Sequence, residues 1–206
     1  MDEIKICAVT TVPERFDRAV ELARSLDNCS IISDPDGLWK GGSRNQLRTW
    51  EALRADPPGW ALAVEDDAIL HPDFWNRANA LLQDAPSPVV SFYSMGWKKD
   101  PVHPEGWRMI PGNQYLGAVC LAWRLDFLQG FLRQSYRLMR EAVTLWGDHG
   151  NYFDAIQKLY YAEQKITVAV AIPNLADHDL SVPSLQGHQR TFGGHERRSY
   201  TFDPTV

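Results

Sequence analysis

Three consecutive acidic residues, Glu65, Asp66 and Asp67, follow the apolar run WALAV at 60–64. Two carboxylates roughly 4 Å apart repel by about 4 kcal/mol at an effective dielectric constant of about 20. Such a cluster persists when a cation lies between the carboxylates, when one is protonated, or when all are solvated. Mg²⁺ and Mn²⁺ are commonly held by one or two carboxylates together with substrate phosphates. The motif therefore predicts either a metal-bridged diphosphate site or a solvated acidic turn.

The elements that must position these acids follow from the hydrophobic pattern. Short apolar, β-branched runs predict strands, and apolar residues at helical spacing predict helices. The segment 95–114 holds three prolines and three glycines without a clean period, so it predicts a long loop. The predicted strands are 4–12, 29–33, 60–64, 88–94, 115–123 and, as the final strand, 166–172; the predicted helices are 13–26, 44–55, 72–83, 124–139 and 150–164.

Strands and helices alternate through the first half of the chain, which favours an α/β fold. We expect a mostly parallel central sheet flanked by helices, in one domain covering 1–206. In sheets of this kind ligands bind beyond the carboxyl ends of the strands. The three acids fall at such an end, where the turning chain can direct them into one cleft.

Composition limits the classes of function. The net charge of −5 gives no overall electrostatic attraction to nucleic acid, although a local basic groove stays possible. The three cysteines form no C-x-x-C pair and predict neither a disulfide framework nor a zinc site. No apolar stretch approaches the length of a membrane span, and the N-terminus does not resemble a signal peptide. We therefore expect a cytoplasmic protein.

The segment ALAVEDDAILHPDF at 61–74 resembles the strand and acidic motif of glycosyltransferases of the GT-A fold. ICAVTTVPER at 6–15 resembles their first strand and nucleotide-binding turn, and GGSRNQLRTWEAL at 41–53 resembles the helix that faces the sugar nucleotide. IPNLADHDLSVPSLQGH at 172–188 is similar to their C-terminal P-x-L-x-x-H segment. The compact size and this ending most resemble small bacteriophage-encoded glycosyltransferases.

The resemblance implies a GT-A-like (Rossmann-like) domain, with nucleotide-sugar binding in 1–94 and the acceptor half and C-terminal metal segment in 95–206. It implies Asp67 and His178 as ligands of Mn²⁺ or Mg²⁺, and a nucleoside-diphosphate sugar, with a UDP-sugar favoured, as donor. Free N–H groups and the helix dipole at the start of the second predicted helix also favour an anion there. The expected nucleotide-sugar contacts are Thr10, Thr11, Arg15, Asp34, Gly42, Arg44, Asn45, Glu65 and Asp66.

Asp148 lies between Gly147 and His149 at a predicted helix start. By the resemblance it is the base that takes the acceptor proton in an inverting transfer, and by its position it is equally a helix N-cap. The sequence leaves inverting and retaining mechanisms open. Weaker candidates for acceptor contacts are Trp97, Asn113 and Gln114.

The acceptor suggested by the phage resemblance is a hydroxymethylated pyrimidine in DNA, in which case the protein would act in the host cytoplasm. The alternatives are a saccharide or lipid-linked glycan as acceptor, or a non-catalytic domain that binds a nucleotide sugar. A metal-dependent nucleotidyltransferase or phosphohydrolase also places acids at a strand end. It would require a basic, glycine-rich turn after the first strand, which TTVPER at 10–15 does not match.

Overall fold

The structure is a computed structural model that describes residues 3–27, 29–33, 43–94, 105–115, 117–147, 153–182, 191–192, 195–196, 199 and 201–205. Its strands are β1 (Ile4–Thr11), β2 (Cys29–Ser33), β3 (Trp60–Glu65), β4 (Ala68–Leu70), β5 (Val89–Ser91), β6 (Gly106–Pro111), β7 (Cys120–Arg124), β8 (Thr167–Ile172), β9 (Ala176–His178), β10 (Thr191–Phe192) and β11 (His195–Glu196). Its helices are α1 (Phe16–Arg24), α2 (Ser43–Ala52), α3 (Phe74–Gln83), α4 (Leu125–Leu132), α5 (Ser135–Trp146) and α6 (Phe153–Glu163); a 3₁₀ turn, Pro13–Arg15, precedes α1.

A central sheet of seven strands has the order β2-β1-β3-β7-β5-β8-β6. The pairs β1–β2, β1–β3 and β5–β8 are parallel, whereas β3–β7, β5–β7 and β6–β8 are antiparallel. Following these pairings across the sheet, β6 and β7 run against the other five strands. The sheet is therefore mostly parallel in strand direction, as the alternating sequence pattern predicted.

Each face of the sheet packs against helices. Along β3, Trp60, Leu62 and Val64 face the layer that contains α1 and α3, and Ala61 and Ala63 face the layer that contains α2, α4, α5 and α6. The run WALAV is apolar throughout because both faces of this strand are buried. Among the helices that the structure describes, none is long and apolar enough to cross a bilayer.

Several of the predicted elements differ from those of the structure. Gly106–Pro111, placed in a loop by the sequence, forms β6. The predicted helix 124–139 is two helices, α4 and α5, separated at 133–134. The predicted final strand, now β8, is followed by β9, which pairs with β4 in a separate two-stranded ladder.

The three cysteines are free thiols, and two of them are neighbours. Cys7 and Cys29 are opposite each other in the β1–β2 register, and their Sγ atoms are 2.9 Å apart. Burial raises the pKa of the Cys7 and Cys120 thiols well above its ordinary value. Both thiols therefore stay protonated in the sheet interior and behave as small apolar groups.

Candidate functional site

The acids Glu65, Asp66 and Asp67 lie where β3 ends, beside the end of β1. The parallel register pairs Thr10 with Glu65, and the Asp66 amide donates to the Thr10 carbonyl over 3.2 Å. The ends of both strands therefore meet at one edge of the sheet, and the side chain of Thr11 reaches the acids. The structure confirms that an apolar strand delivers these acids to a carboxyl edge of the sheet.

Asp66 is 4% exposed and is held by two donors. Thr11 Oγ1 donates to its Oδ2 over 2.7 Å, and Arg15 Nη1 donates to its Oδ1 over 2.9 Å. Burial raises the pKa of Asp66, while the hydrogen bonds from Thr11 and Arg15 lower it and the neighbouring Asp67 raises it. A carboxylate in this position is directed inward and organises the turn, so it is not a solvated surface acid.

Asp67 and His178 are brought together by the β4–β9 ladder, in which Ala68 pairs with His178. His178 Nε2 lies 3.2 Å from Asp67 Oδ2 at ion-pair distance. The two atoms are not oriented for a hydrogen bond, and neither ring nitrogen of His178 has a hydrogen-bond partner among the described residues, although the side chain is only 3% exposed. A buried imidazole without a partner is costly unless it binds another group.

This pair fits a divalent cation. A carboxylate oxygen is a suitable ligand for Mn²⁺ or Mg²⁺, and a neutral imidazole nitrogen is a good ligand for Mn²⁺. Within the described residues, no group of three or more His, Cys, Asp or Glu side chains forms a metal-binding cluster. A cation held by Asp67 and His178 would therefore need further ligands from substrate oxygens or water, which is typical of Mg²⁺ bound with a diphosphate.

Two arginines contact the acidic turn: Arg15 at the end of the 3₁₀ turn and Arg18 in α1. Arg15 Nη1 is 2.9 Å from Asp66 Oδ1 and 3.5 Å from Asp67 Oδ2. Arg18 Nε donates to the Asp66 carbonyl over 2.8 Å, and its Nη2 donates to Asp179 Oδ2 over 2.6 Å. Hydrogen bonds from Ser181, and then from Arg18, lower the pKa of Asp179. Arg18 thus joins α1, the acidic turn and the end of β9.

Arg18 and Asp179 were not predicted as site residues. Arg18 follows Arg15 by three positions within the predicted helix 13–26, a spacing that would place both residues on one face of that helix. Asp179 is adjacent to the predicted ligand His178, and its amide donates to the Asp67 carbonyl over 2.8 Å. The helical spacing and this adjacency were signals that could have identified both residues.

The first turn of α2 approaches the same edge of the sheet. Asn45 Nδ2 donates to Thr10 Oγ1 over 3.2 Å and to the Thr11 carbonyl over 3.1 Å. Gln46, which was not predicted, donates from Nε2 to Glu65 Oε1 over 3.0 Å. Arg44 precedes them and is exposed. Of the predicted nucleotide-sugar residues, Thr10, Thr11, Arg15, Asn45, Glu65 and Asp66 therefore form one connected polar cluster with the metal candidates.

Other predicted residues are not part of this cluster. Asn113 and Gln114 follow β6, whose last residue pairs with Thr167 at the start of β8. Since β8 runs in the same direction as β3, these two exposed residues lie at the sheet edge opposite the acids, and the structure does not bring them to the site. Four predicted site residues lie outside the described residues: Asp34, Gly42, Trp97 and Asp148.

A cavity of about 240 Å³ lies beyond the far end of the β4–β9 ladder. His71 and Arg77 line it together with Glu105 and Asp203, so its wall carries both signs of charge. His71 follows the end of β4 at Leu70, whereas Asp67 precedes its start. The cavity is therefore separated from the acids by the length of the ladder and is a different feature of the molecule.

No protein-family model matches the chain, and no curated protein matches it. Among solved structures, the chain is similar to the crystal structure of residues 1–349 of TarS from S. aureus, with a TM-score of 0.44 and 12% identity. The match covers 82% of this chain and 58% of the TarS structure. At that TM-score the likeness carries no conclusion about function, which depends on the site.

Proposed function

We propose that the protein is a metal-dependent glycosyltransferase that moves a sugar from a nucleoside-diphosphate donor to an acceptor hydroxyl. The observation that carries the proposal is the Asp67–His178 pair. A buried imidazole with no hydrogen-bond partner in the described part of the chain faces a carboxylate at the carboxyl edge of a mostly parallel sheet, and the Arg15 guanidinium lies beside that carboxylate. The resemblance of the acidic and C-terminal segments to those of GT-A glycosyltransferases supports the same assignment.

Each residue of the cluster has a chemical role in this proposal. Asp67 and His178 hold Mn²⁺ or Mg²⁺, which when bound neutralises charge on the departing diphosphate. Arg15 offers a planar set of donors to diphosphate oxygens. Glu65, held by Gln46, and Thr10, held by Asn45, lie beside the metal candidates and are assigned to the ribose and base.

The transfer itself is assigned by resemblance. In an inverting reaction the acceptor oxygen forms a bond to the anomeric carbon as the bond from that carbon to the diphosphate oxygen breaks. The acceptor proton passes to a carboxylate within hydrogen-bond reach, for which Asp148 is the candidate. The favoured donor is a UDP-sugar, and the proposed acceptor is a hydroxymethylated pyrimidine in DNA; a saccharide or lipid-linked glycan is the second candidate.

Thermal unfolding with a panel of nucleoside diphosphates, each with Mn²⁺ and with EDTA, tests the binding half of the proposal. A ligand at 100 times its Kd adds about 2.7 kcal/mol to the free energy of unfolding. We expect one diphosphate to stabilise the protein only when Mn²⁺ is present, and Asp67→Asn to lose that stabilisation.

Asp84→Asn is the matched control, because Asp84 is an exposed aspartate at the end of α3. It should respond as the wild type does. If no diphosphate stabilises the wild type under any condition, the acids form a structural turn and the proposal is wrong. If Asp67→Asn retains the full Mn²⁺-dependent response, the metal assignment is wrong although nucleotide binding stands.

Mass spectrometry of nucleosides tests the acceptor. DNA containing 5-hydroxymethylcytosine is incubated with the protein, Mn²⁺ and a mixture of nucleotide sugars, and is then digested. A pentose or hexose mass increment on the modified base supports the proposed acceptor. Sugar release with no change in the DNA would favour a saccharide or lipid-linked acceptor, and Mn²⁺-dependent nucleotide binding without sugar release over all acceptors would favour a non-catalytic binding domain.

A further inference from the structure

The guanidinium of Arg15 lies beside the same carboxylate oxygen of Asp67 that faces His178. Asp67 Oδ2 lies 3.2 Å from His178 Nε2 and 3.5 Å from Arg15 Nη1. The carboxylate oxygen that faces the candidate metal ligand thus also lies 3.5 Å from a positively charged guanidinium. The guanidinium therefore places a positive charge beside this oxygen.

Arg15 Nη1 lies 3.5 Å from Asp67 Oδ2. A divalent cation held between Asp67 and His178 would therefore be strongly repelled by the guanidinium, because both carry positive charge. The cation and the guanidinium therefore weaken each other's interaction with Asp67 Oδ2. A bound diphosphate changes the balance, since its oxygens offer the guanidinium a new anionic partner close to the metal.

The remaining contacts allow Arg15 to leave without collapse of the turn. When Arg15 moves, Asp66 keeps the hydrogen bond from Thr11 Oγ1 at 2.7 Å. The main chain of the turn keeps the bond from Arg18 Nε to the Asp66 carbonyl and the bond from the Asp179 amide to the Asp67 carbonyl. The Arg15 side chain is 11% exposed, so part of it reaches the surface.

We infer that Arg15 couples the metal to the diphosphate by exchanging partners. Without ligands it lies on Asp66 and Asp67 and lowers the affinity for the cation; with both ligands bound it pairs with diphosphate oxygens and its competition with the cation ends. This inference rests on the proposed function and adds to it a reason why the two ligands bind interdependently. The coupling must be reciprocal, so each ligand raises the affinity for the other by the same factor.

The test is a pair of binding titrations. Mn²⁺ affinity is measured by electron paramagnetic resonance without and with UDP, or with whichever nucleoside diphosphate stabilises the wild type, and the affinity for that diphosphate is measured by calorimetry without and with Mn²⁺. In the wild type we expect each ligand to tighten the other by a factor of about 5–150. In Arg15→Gln, Mn²⁺ alone should bind more tightly than in the wild type, the diphosphate should bind more weakly, and the coupling factor should be smaller than in the wild type, with only the part that comes from direct metal–diphosphate contact remaining.

Two further variants control for a general disturbance of the fold. Arg24→Gln removes an exposed arginine from the last turn of α1 and should match the wild type in all four affinities. Arg15→Lys keeps a positive charge near the acids but loses the planar set of donors. It should therefore hold the Mn²⁺ affinity near that of the wild type while weakening the diphosphate, which loss of folding would not produce.

The possible results separate this inference from the proposed function. If Arg15→Gln binds Mn²⁺ alone no more tightly than the wild type, or retains the full coupling factor, the role of Arg15 is wrong while the metal site stands. If the wild type binds no Mn²⁺ with or without any diphosphate, the metal site is wrong, and the role of Arg15 is wrong with it.

Discussion

At the scale of single residues, the hydroxyl of Thr11 stabilises the buried carboxylate of Asp66. It donates to Asp66 Oδ2 over 2.7 Å, and both side chains are buried. Hydrogen bonds to charged groups contribute about 1.5–3 kcal/mol, and loss of one leaves a buried acceptor underpaired. We therefore expect Thr11→Val, which keeps the shape of the side chain, to lower the free energy of unfolding by about 1–3 kcal/mol in urea denaturation.

Thr144→Val is the matched control for this substitution. The Thr144 hydroxyl donates to the Arg140 carbonyl on the exposed surface of α5, where water replaces it when it is lost. Exposed substitutions of this kind usually change stability by less than about 0.5 kcal/mol. An equal loss of stability in the two variants would show that burial of the Asp66 carboxylate does not determine the effect.

Residue types and their neighbours predicted much of the cluster. Glu65, Asp66 and Asp67 were found because acids that directly extend a buried strand are unusual, and His178 was found through the resemblance of its segment. Gln46 gave no such signal, because a glutamine on a helix is ordinary until the fold places Glu65 beside it. Contacts between segments distant in the chain depend on topology, which residue type does not encode.

At the scale of elements, the strands β1, β2 and β3 were predicted well, whereas β6 and the short strands β4 and β9 were missed. The bounds of β2 match the prediction, and those of β1 and β3 differ from it by one residue. β6 was missed because its partly buried residues, GWRMIP, show neither an apolar run nor a clear alternation and include a glycine and a proline. β4 and β9 have three residues each, which is too short for a periodic signal, and they find each other only in the folded chain.

The turn after β6 places Gly112 where a side chain has no room. A Cβ atom at this position would lie 2.6 Å from the Ile166 carbonyl oxygen and would also contact Tyr161 Cβ on α6. The Gly112 amide donates a hydrogen bond to the same Ile166 carbonyl oxygen over 3.0 Å. This bond holds the carbonyl in place, so it cannot move away from an added side chain. Overpacking of this kind costs about 1–3 kcal/mol, and we expect Gly112→Ala to lower the urea midpoint of unfolding accordingly.

Asn113→Ala is the control, since Asn113 is exposed in the same turn and its substitution adds no atoms to the interior. Its midpoint should stay close to that of the wild type. A Gly112→Ala protein as stable as Asn113→Ala would mean that the junction between the turn, β8 and α6 is looser than the contacts indicate.

At the scale of the whole molecule, the candidate site is assembled from segments far apart in the chain. The end of β1, the start of α1, the acidic turn and β9 meet at one edge of the sheet, and hydrogen bonds such as Arg18 to Asp179 span 161 positions. The alternating pattern predicted this edge as the ligand-binding edge, because strands that run in the same direction expose their carboxyl ends together. The joining of β9 to the acidic turn required the tertiary structure.

If the four segments form one binding unit, a ligand must protect all of them at once. We expect hydrogen–deuterium exchange in the presence of Mn²⁺ and the stabilising diphosphate to slow together in 9–18, 64–70 and 175–179. At 100 times Kd, exchange through openings that abolish the site should slow by about 100-fold. The edge strand β6 lies away from the acids, so its local openings leave the site intact and its exchange should not change. Protection confined to 64–70 would mean that β9 takes no part in binding, and His178 would then not belong to the site. In Asp67→Asn, loss of protection in all four segments would show that their protection depends on the metal-binding carboxylate.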